Sequence, residues 1–176
     1  MKKHSLLTAF LVLLLVVIAG YWLFNKFFIV PMYVYVQHAD SGSLLPVDGG
    51  DLYKLTLTGP SSQLIYFMDR PERLVLSVTI EDFLDAWNGL LKDDSNLQSV
   101  SAAIEIADAD SAGDVIIGML ISPVYDENAN TITYDFMIDE KPLGGALALF
   151  NEKRDVRIPE NFAEVNVYID SSVYVP

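Results

Sequence analysis

The chain contains no cysteine. Disulfides, thiolate nucleophiles and cysteine metal sites are therefore excluded, and any exported domain must hold itself together through its core. Histidine is nearly as scarce. His4 lies at the N-terminus and only His38 lies beyond it. One histidine beside Asp40 and Ser41 does not make a catalytic triad, whose members meet in space rather than in sequence. Without cysteine it does not make a zinc site either. Basic residues are few, 11 against 24 acidic, for a formal charge of −13. Such a surface repels nucleic acid and anionic headgroups, so no nucleic-acid partner is expected. The chain also lacks a phosphate-binding glycine loop, a nucleophile elbow, an internal repeat and a low-complexity tract. No catalytic residue is assigned, and no metal or cofactor is called for.

What the chain does have begins with an apolar run. After the basic start Met1-Lys2-Lys3-His4, no charged side chain occurs from Ser5 to Phe24. A helix of that length covers about 30 Å, the thickness of a hydrocarbon core. Ala19-Gly20 is followed by Tyr21-Trp22, which suits an interfacial aromatic belt better than a signal-peptidase site. Lys2 and Lys3 precede the run, so the positive-inside rule places the N-terminus in the cytoplasm. The expectation is a single transmembrane helix over residues 1–30, anchoring a domain of residues 31–176 on the outer side of a bacterial-type inner membrane. The membrane is then one partner. Setting aside Lys2, Lys3 and Lys26 leaves that domain 8 basic residues against its 24 acidic ones.

Past Pro31 the pattern turns β. Met32 to Val36 is rich in β-branched and aromatic residues, and Gln37 to Leu45 reads as a loop around Ser41-Gly42-Ser43. Tyr53, Leu55 and Leu57 alternate with polar neighbours, as do Val100 to Ile106 and Ile132 to Ile138. Leu64–Met68, Leu74–Val78, Leu147–Phe150 and Val165–Ile169 are further short strand candidates. Val115 to Ile121 is continuously apolar and is expected deep in a sheet. Asp126 to Asn130 has the composition of a hairpin turn. One helix interrupts the series: Ile80, Phe83, Leu84, Trp87 and Leu91 share a face, and Thr79 with Asp82 resembles a capping box. The fold expected is mostly β, a β-sandwich-like domain with one inserted amphipathic helix.

The densest cluster of polar chemistry is Tyr66-Phe67-Met68-Asp69-Arg70-Pro71-Glu72-Arg73. Asp69, Arg70 and Arg73 form the candidate ligand site, because paired guanidinium groups fork onto carboxylate or phosphate. The competing reading is a hairpin corner with its charges paired locally. This stretch, with Thr79, Phe83 and Trp87 after it, resembles a group of secreted or anchored bacterial proteins carrying a Tyr-Phe-x-Asp-Arg-Pro-x-Arg signature. Val167-Tyr168-Ile169-Asp170 is a weaker echo. Met68 and Leu74-Val75 are more apolar than that pattern. The resemblance implies a shared fold and brings no activity with it.

Asp108, Asp110 and Asp114 around Gly113 partly match a calcium loop, but Met119 stands where the bidentate glutamate belongs. A solvated turn is the better reading. The leading functional expectation is a membrane-tethered, extracytoplasmic, non-catalytic binding or accessory module with an envelope protein partner. The alternative is an envelope enzyme or sensor acting on an anionic ligand at Asp69, Arg70 and Arg73. A purely structural scaffold would instead self-associate through an exposed apolar edge.

Overall fold

The computed structural model describes residues 10–21, 33–47, 50–68, 73–93, 99–107, 115–139, 141, 143–154 and 158–171. The chain divides into two units, Met1–Pro31 and Met32–Pro176.

In the first unit, residues 10–21 form a helix, α1, whose apolar side chains are exposed. The twelve described residues rise about 18 Å, against the ~30 Å of a hydrocarbon core. Among the described residues no helix is long and apolar enough to cross a membrane. The expected transmembrane anchor is therefore corrected. The placement as a single-pass inner-membrane protein with an outer domain loses its support with it. Hydropathy counts apolar residues in a row, whereas spanning depends on how many are hydrogen-bonded into one continuous helix.

The described residues of the second unit form nine strands: β1 (Tyr33–Pro46), β2 (Leu52–Pro60), β3 (Gln63–Met68), β4 (Leu74–Thr79), β5 (Ser99–Ile106), β6 (Val115–Asp126), β7 (Thr131–Ile138), β8 (Asn161–Phe162) and β9 (Val165–Ser171). Helix α2 (Ile80–Asp93) follows β4, and a 3-10 helix (Gly145–Lys153) follows β7. Six strands close on themselves in the order β1-β2-β7-β6-β5-β9, every pairing antiparallel. The domain is thus a closed barrel and not the sandwich expected. Alternating strands look the same in both architectures. What separates them is long-range pairing, which periodicity does not report.

Closure depends on the length of β1. Its first half, Tyr33–Ala39, pairs β9, while Ala39 to Pro46 pairs β2. The segment Gln37–Leu45, expected as a loop, is therefore strand. Gly42 leaves room there for the Phe162 ring, which a Cβ at this position would displace. On its other flank the first half of β1 pairs β3, from Tyr33↔Met68 to Val36↔Ile65. β2 and β3 are accordingly one long strand bent at Gly59–Ser62. Gly59 takes a positive φ of 65°, and the Ser61 N–H donates to the His38 carbonyl at 2.9 Å. Beyond the bend, β3 runs along the first half of β1 and pairs β4 on its other side, so that β3 and β4 form a two-stranded wing attached to the barrel.

Alternate residues fill the barrel: Tyr35, Leu55, Leu57, Ile104, Leu120, Ile132, Tyr134, Phe136, Val167 and Ile169 are all fully buried. Gly118 faces inward, leaving room for the Phe136 ring beside it. Helix α2 adds Ile80, Phe83 and Trp87 to the same core. Ring contacts run from Tyr66 on the wing to Tyr35 (5.3 Å), Phe83 (5.3 Å), Trp87 (5.7 Å) and Tyr134 in the barrel (6.4 Å). The helix start has the Thr79 N-cap expected: the Asp82 N–H donates to Thr79 Oγ1 at 3.2 Å, while the Asp82 carboxylate accepts from the Thr79 hydroxyl at 2.8 Å rather than from its backbone N–H.

The continuous apolar run of β6 also has its explanation. Ile116 and Leu120 face the barrel core, while Val115 and Ile117 face a second, outer core with Ala103, Leu143, Leu147 and Phe150. Leu147–Phe150, expected as a strand, is part of the 3-10 helix that covers this outer face. The hairpin between β6 and β7 falls where expected, with Asp126 Oδ1 accepting from the Asn128 and Ala129 N–H groups at 3.0 and 3.1 Å.

Candidate functional site

Of the expected ligand site, Asp69 and Arg70 lie outside the described residues. Arg73 stands exposed immediately before β4. Asp108, Asp110, Gly113 and Asp114 of the partial calcium loop also lie outside them. His38 faces outward on β1 with its Nδ1 3.2 Å from Asn166 Oδ1, a strand-to-strand contact rather than a catalytic pairing. Among the described residues no three histidine or carboxylate side chains are grouped to hold a metal.

The structure draws attention elsewhere, to the outer face of β1 and β9. Side chains alternate along a strand, so where Tyr33 and Tyr35 point into the barrel, Val34 and Val36 point out. On β9, Val167 and Ile169 point in while Tyr168 and Asp170 point out. With Phe67 of β3 and the flank of the 3-10 helix, Val34, Val36 and Tyr168 line an open groove of about 370 Å³. Val34, Val36, Phe67, Ala146, Leu147, Leu149 and Phe150 supply its apolar walls, and Glu105, Lys153 and Tyr168 its polar end.

Each wall is fixed for a local reason. The 3-10 helix is held to the barrel by the buried Leu147 and Phe150. Asn151 clamps its entry: Asn151 Nδ2 donates to the Leu143 carbonyl at 2.9 Å, and Oδ1 accepts from the Leu143 N–H at 2.7 Å. At its exit Arg154 donates to the Lys141 carbonyl at 2.7 Å. The Phe150 ring lies 4.7 Å from that of Tyr168, forming a continuous aromatic floor.

At the polar end, the Tyr168 hydroxyl donates to Glu105 Oε2 at 2.8 Å, and Lys153 Nζ lies 3.7 Å from Glu105 Oε1. Burial, then the hydrogen bond and charge of Glu105, push the Tyr168 phenol up to about 12. Tyr168 is therefore a neutral donor throughout the physiological range. Glu105 remains an acceptor braced by the tyrosine and more loosely by the lysine. Asp170, two residues along the same face and opposite Val34, has its carboxyl raised by burial. The arrangement can hold an apolar body against the 3-10 helix and meet one hydrogen-bonding or cationic group at Glu105.

No motif announces this site, because Glu105, Lys153 and Tyr168 come from three separate elements. One signal was present in β1, where Tyr33-Val34-Tyr35-Val36 is apolar on both faces. A strand of that kind has something covering each side. Against known proteins, no family model, curated protein or solved structure matches this chain.

Proposed function

We propose that the domain is a non-catalytic binding module, and that its ligand is a small amphiphile. An aromatic or aliphatic body lies in the groove between the 3-10 helix and the outer face of β1, β3 and β9. A neutral or cationic polar end meets Glu105. The observation that carries this reading is the groove itself, whose apolar walls converge on a single carboxylate positioned by Tyr168. Small-molecule sites have this build, mostly apolar with a few placed polar groups, at volumes of about 300–1,000 Å³. The domain's acidity selects the sign, since an anionic ligand would meet both Glu105 and an acidic surface.

The test is a fluorescence titration with N-phenyl-1-naphthylamine, a neutral aromatic amine of suitable size. Saturable binding is expected in the range of about 1–100 μM. Ala146→Trp fills the groove and should remove that saturable phase. Any background on the exposed side chains of α1 is common to both proteins and cancels in the comparison. Unchanged binding in a folded Ala146→Trp variant would overturn the proposal.

A further inference from the structure

Closing the barrel removes its edges, but the wing restores one. Among the described strands, β4 pairs β3 on one side and nothing on the other; the two-residue β8 is the sole other described strand with a single partner. Edge strands in folded proteins are ordinarily blunted by lysine, proline, a bulge or a cover. β4, Leu74-Val75-Leu76-Ser77-Val78-Thr79, carries no lysine and no proline and pairs β3 without a bulge, and it is exposed from Leu74 to Ser77. Three consecutive apolar residues on it are exposed: Leu74 at 38%, Val75 at 64% and Leu76 at 46%. Because neighbours on a strand point to opposite faces, both faces of this edge are apolar.

We propose that β4 is a homodimer interface, at which the β4 strands of two copies pair antiparallel about a two-fold axis. The argument for a second copy is self-complementarity. The edge is uncharged from Leu74 to Thr79 in a chain of net charge −13, with Arg73 at one end and the exposed Glu81 and Asp82 at the other. Antiparallel pairing of two copies brings each end against its opposite, so both ends are matched at once. A two-fold perpendicular to the sheet keeps the faces aligned. The register that meets this condition and centres on the exposed apolar triplet puts Leu76 on the axis facing its own copy. Val75 then faces Ser77 of the second copy, and Arg73 faces Thr79, at the end where the first turn of α2 carries Glu81 and Asp82. The strand pairing carries the interface and the end charges add to it. Both grooves then open on the same face of one continuous sheet. This inference does not depend on what the groove binds.

The absence of cysteine makes a position-specific test available. Directly opposed residues of an antiparallel pair have Cα atoms ~4.5–5.5 Å apart, within disulfide range. Leu76→Cys in the full chain, with a non-ionic detergent to suppress contacts through α1, should oxidise to a disulfide dimer. Ile65→Cys, equally exposed but one strand in from the edge, should lag about tenfold or more. In sedimentation the wild type should dimerise at or below on the order of 100 μM, and Leu76→Lys should weaken this by about 30-fold or more. Circular dichroism confirms that each variant is folded. A monomeric wild type would overturn the proposal and leave the edge to a different protein strand. A dimer untouched by Leu76→Lys, with no preferential crosslinking at position 76, would overturn it too.

Discussion

The barrel and the wing are made of the same kind of strand, and they differ in what happens at the edge. In the barrel every strand has two neighbours, the inner face is filled with aromatic and branched side chains, and the outer face along β5, β6 and β9 is covered again by the 3-10 helix. In the wing, β4 has one neighbour and shows apolar residues to solvent on both faces. The two regions share one long bent strand, β2–β3, so the change at Gly59–Ser62 converts a closed structural element into an open one. Stability is concentrated on one side of the bend and unsatisfied pairing capacity on the other. Tyr35, Phe83 and Trp87 couple the two, since α2 packs its aromatic face under the wing and into the barrel core.

The sharpest way to break this division is to remove the coupling. Trp87 is buried against Phe83 and Tyr134, so Trp87→Ala should cost about 3–5 kcal/mol in urea unfolding of the domain. Leu76→Ala on the wing, measured at concentrations too low for association, should cost less than about 1 kcal/mol. Comparable losses at both positions would show that wing and barrel are not distinct in the way their burial implies.

A smaller effect tests the junction. Thr79 ends β4 and caps α2, accepting from the Asp82 N–H. Thr79→Ala should cost about 1 kcal/mol, whereas Thr79→Ser, which keeps the hydroxyl, should recover most of it. Equal losses in the two variants would assign the role to the β-branched packing of Thr79 at the end of the strand.

How much of this was legible in the sequence follows from which interactions are local. The Thr79 N-cap, the α2 face of Ile80, Phe83 and Trp87, and the turn at Asp126–Asn130 depend on residues a few positions apart, and all stand where the pattern places them. Barrel closure depends on β1 pairing the next strand at one end, Pro46 opposite Tyr53, and a strand far along the chain at the other, Tyr33 opposite Ser171. No spacing rule reaches that far. The groove fails for the same reason, being assembled from Glu105, Lys153 and Tyr168. Arginine density drew attention to Asp69, Arg70 and Arg73, of which Arg73 alone can be placed, at the start of the open edge. The apolar N-terminal run misled because hydropathy does not report helix length, and among the described residues no helix is long and apolar enough to cross a membrane. Leu147–Phe150 misled because four apolar residues fit a strand and a 3-10 turn equally well.

The smallest expected effect concerns the covered outer face, and it sharpens the comparison by asking how dry that face is. Asp170 and Tyr168 both point outward from β9, yet burial raises both groups. For each, the folded state holds its proton to higher pH than the unfolded chain does. Between the unfolded and folded values the native state therefore binds more protons, and stability falls as pH rises. For Asp170 the fall begins near the ordinary carboxylate value of 3.8, so its ionised form is a modest liability at neutral pH. Asp170→Asn should remove that slope and unfold at slightly higher urea than the wild type at pH 7, with the difference vanishing below about pH 4. For Tyr168 the fall runs from 10.0 to about 12, and Tyr168→Phe should remove it. On the wing, where the exposed apolar residues lack ionisable neighbours on β4 itself, Leu76→Asn should leave both slopes unchanged. If Asp170→Asn instead matches the wild type at every pH, water reaches β9 beside the 3-10 helix. The outer face of the barrel would then resemble the wing more than its core.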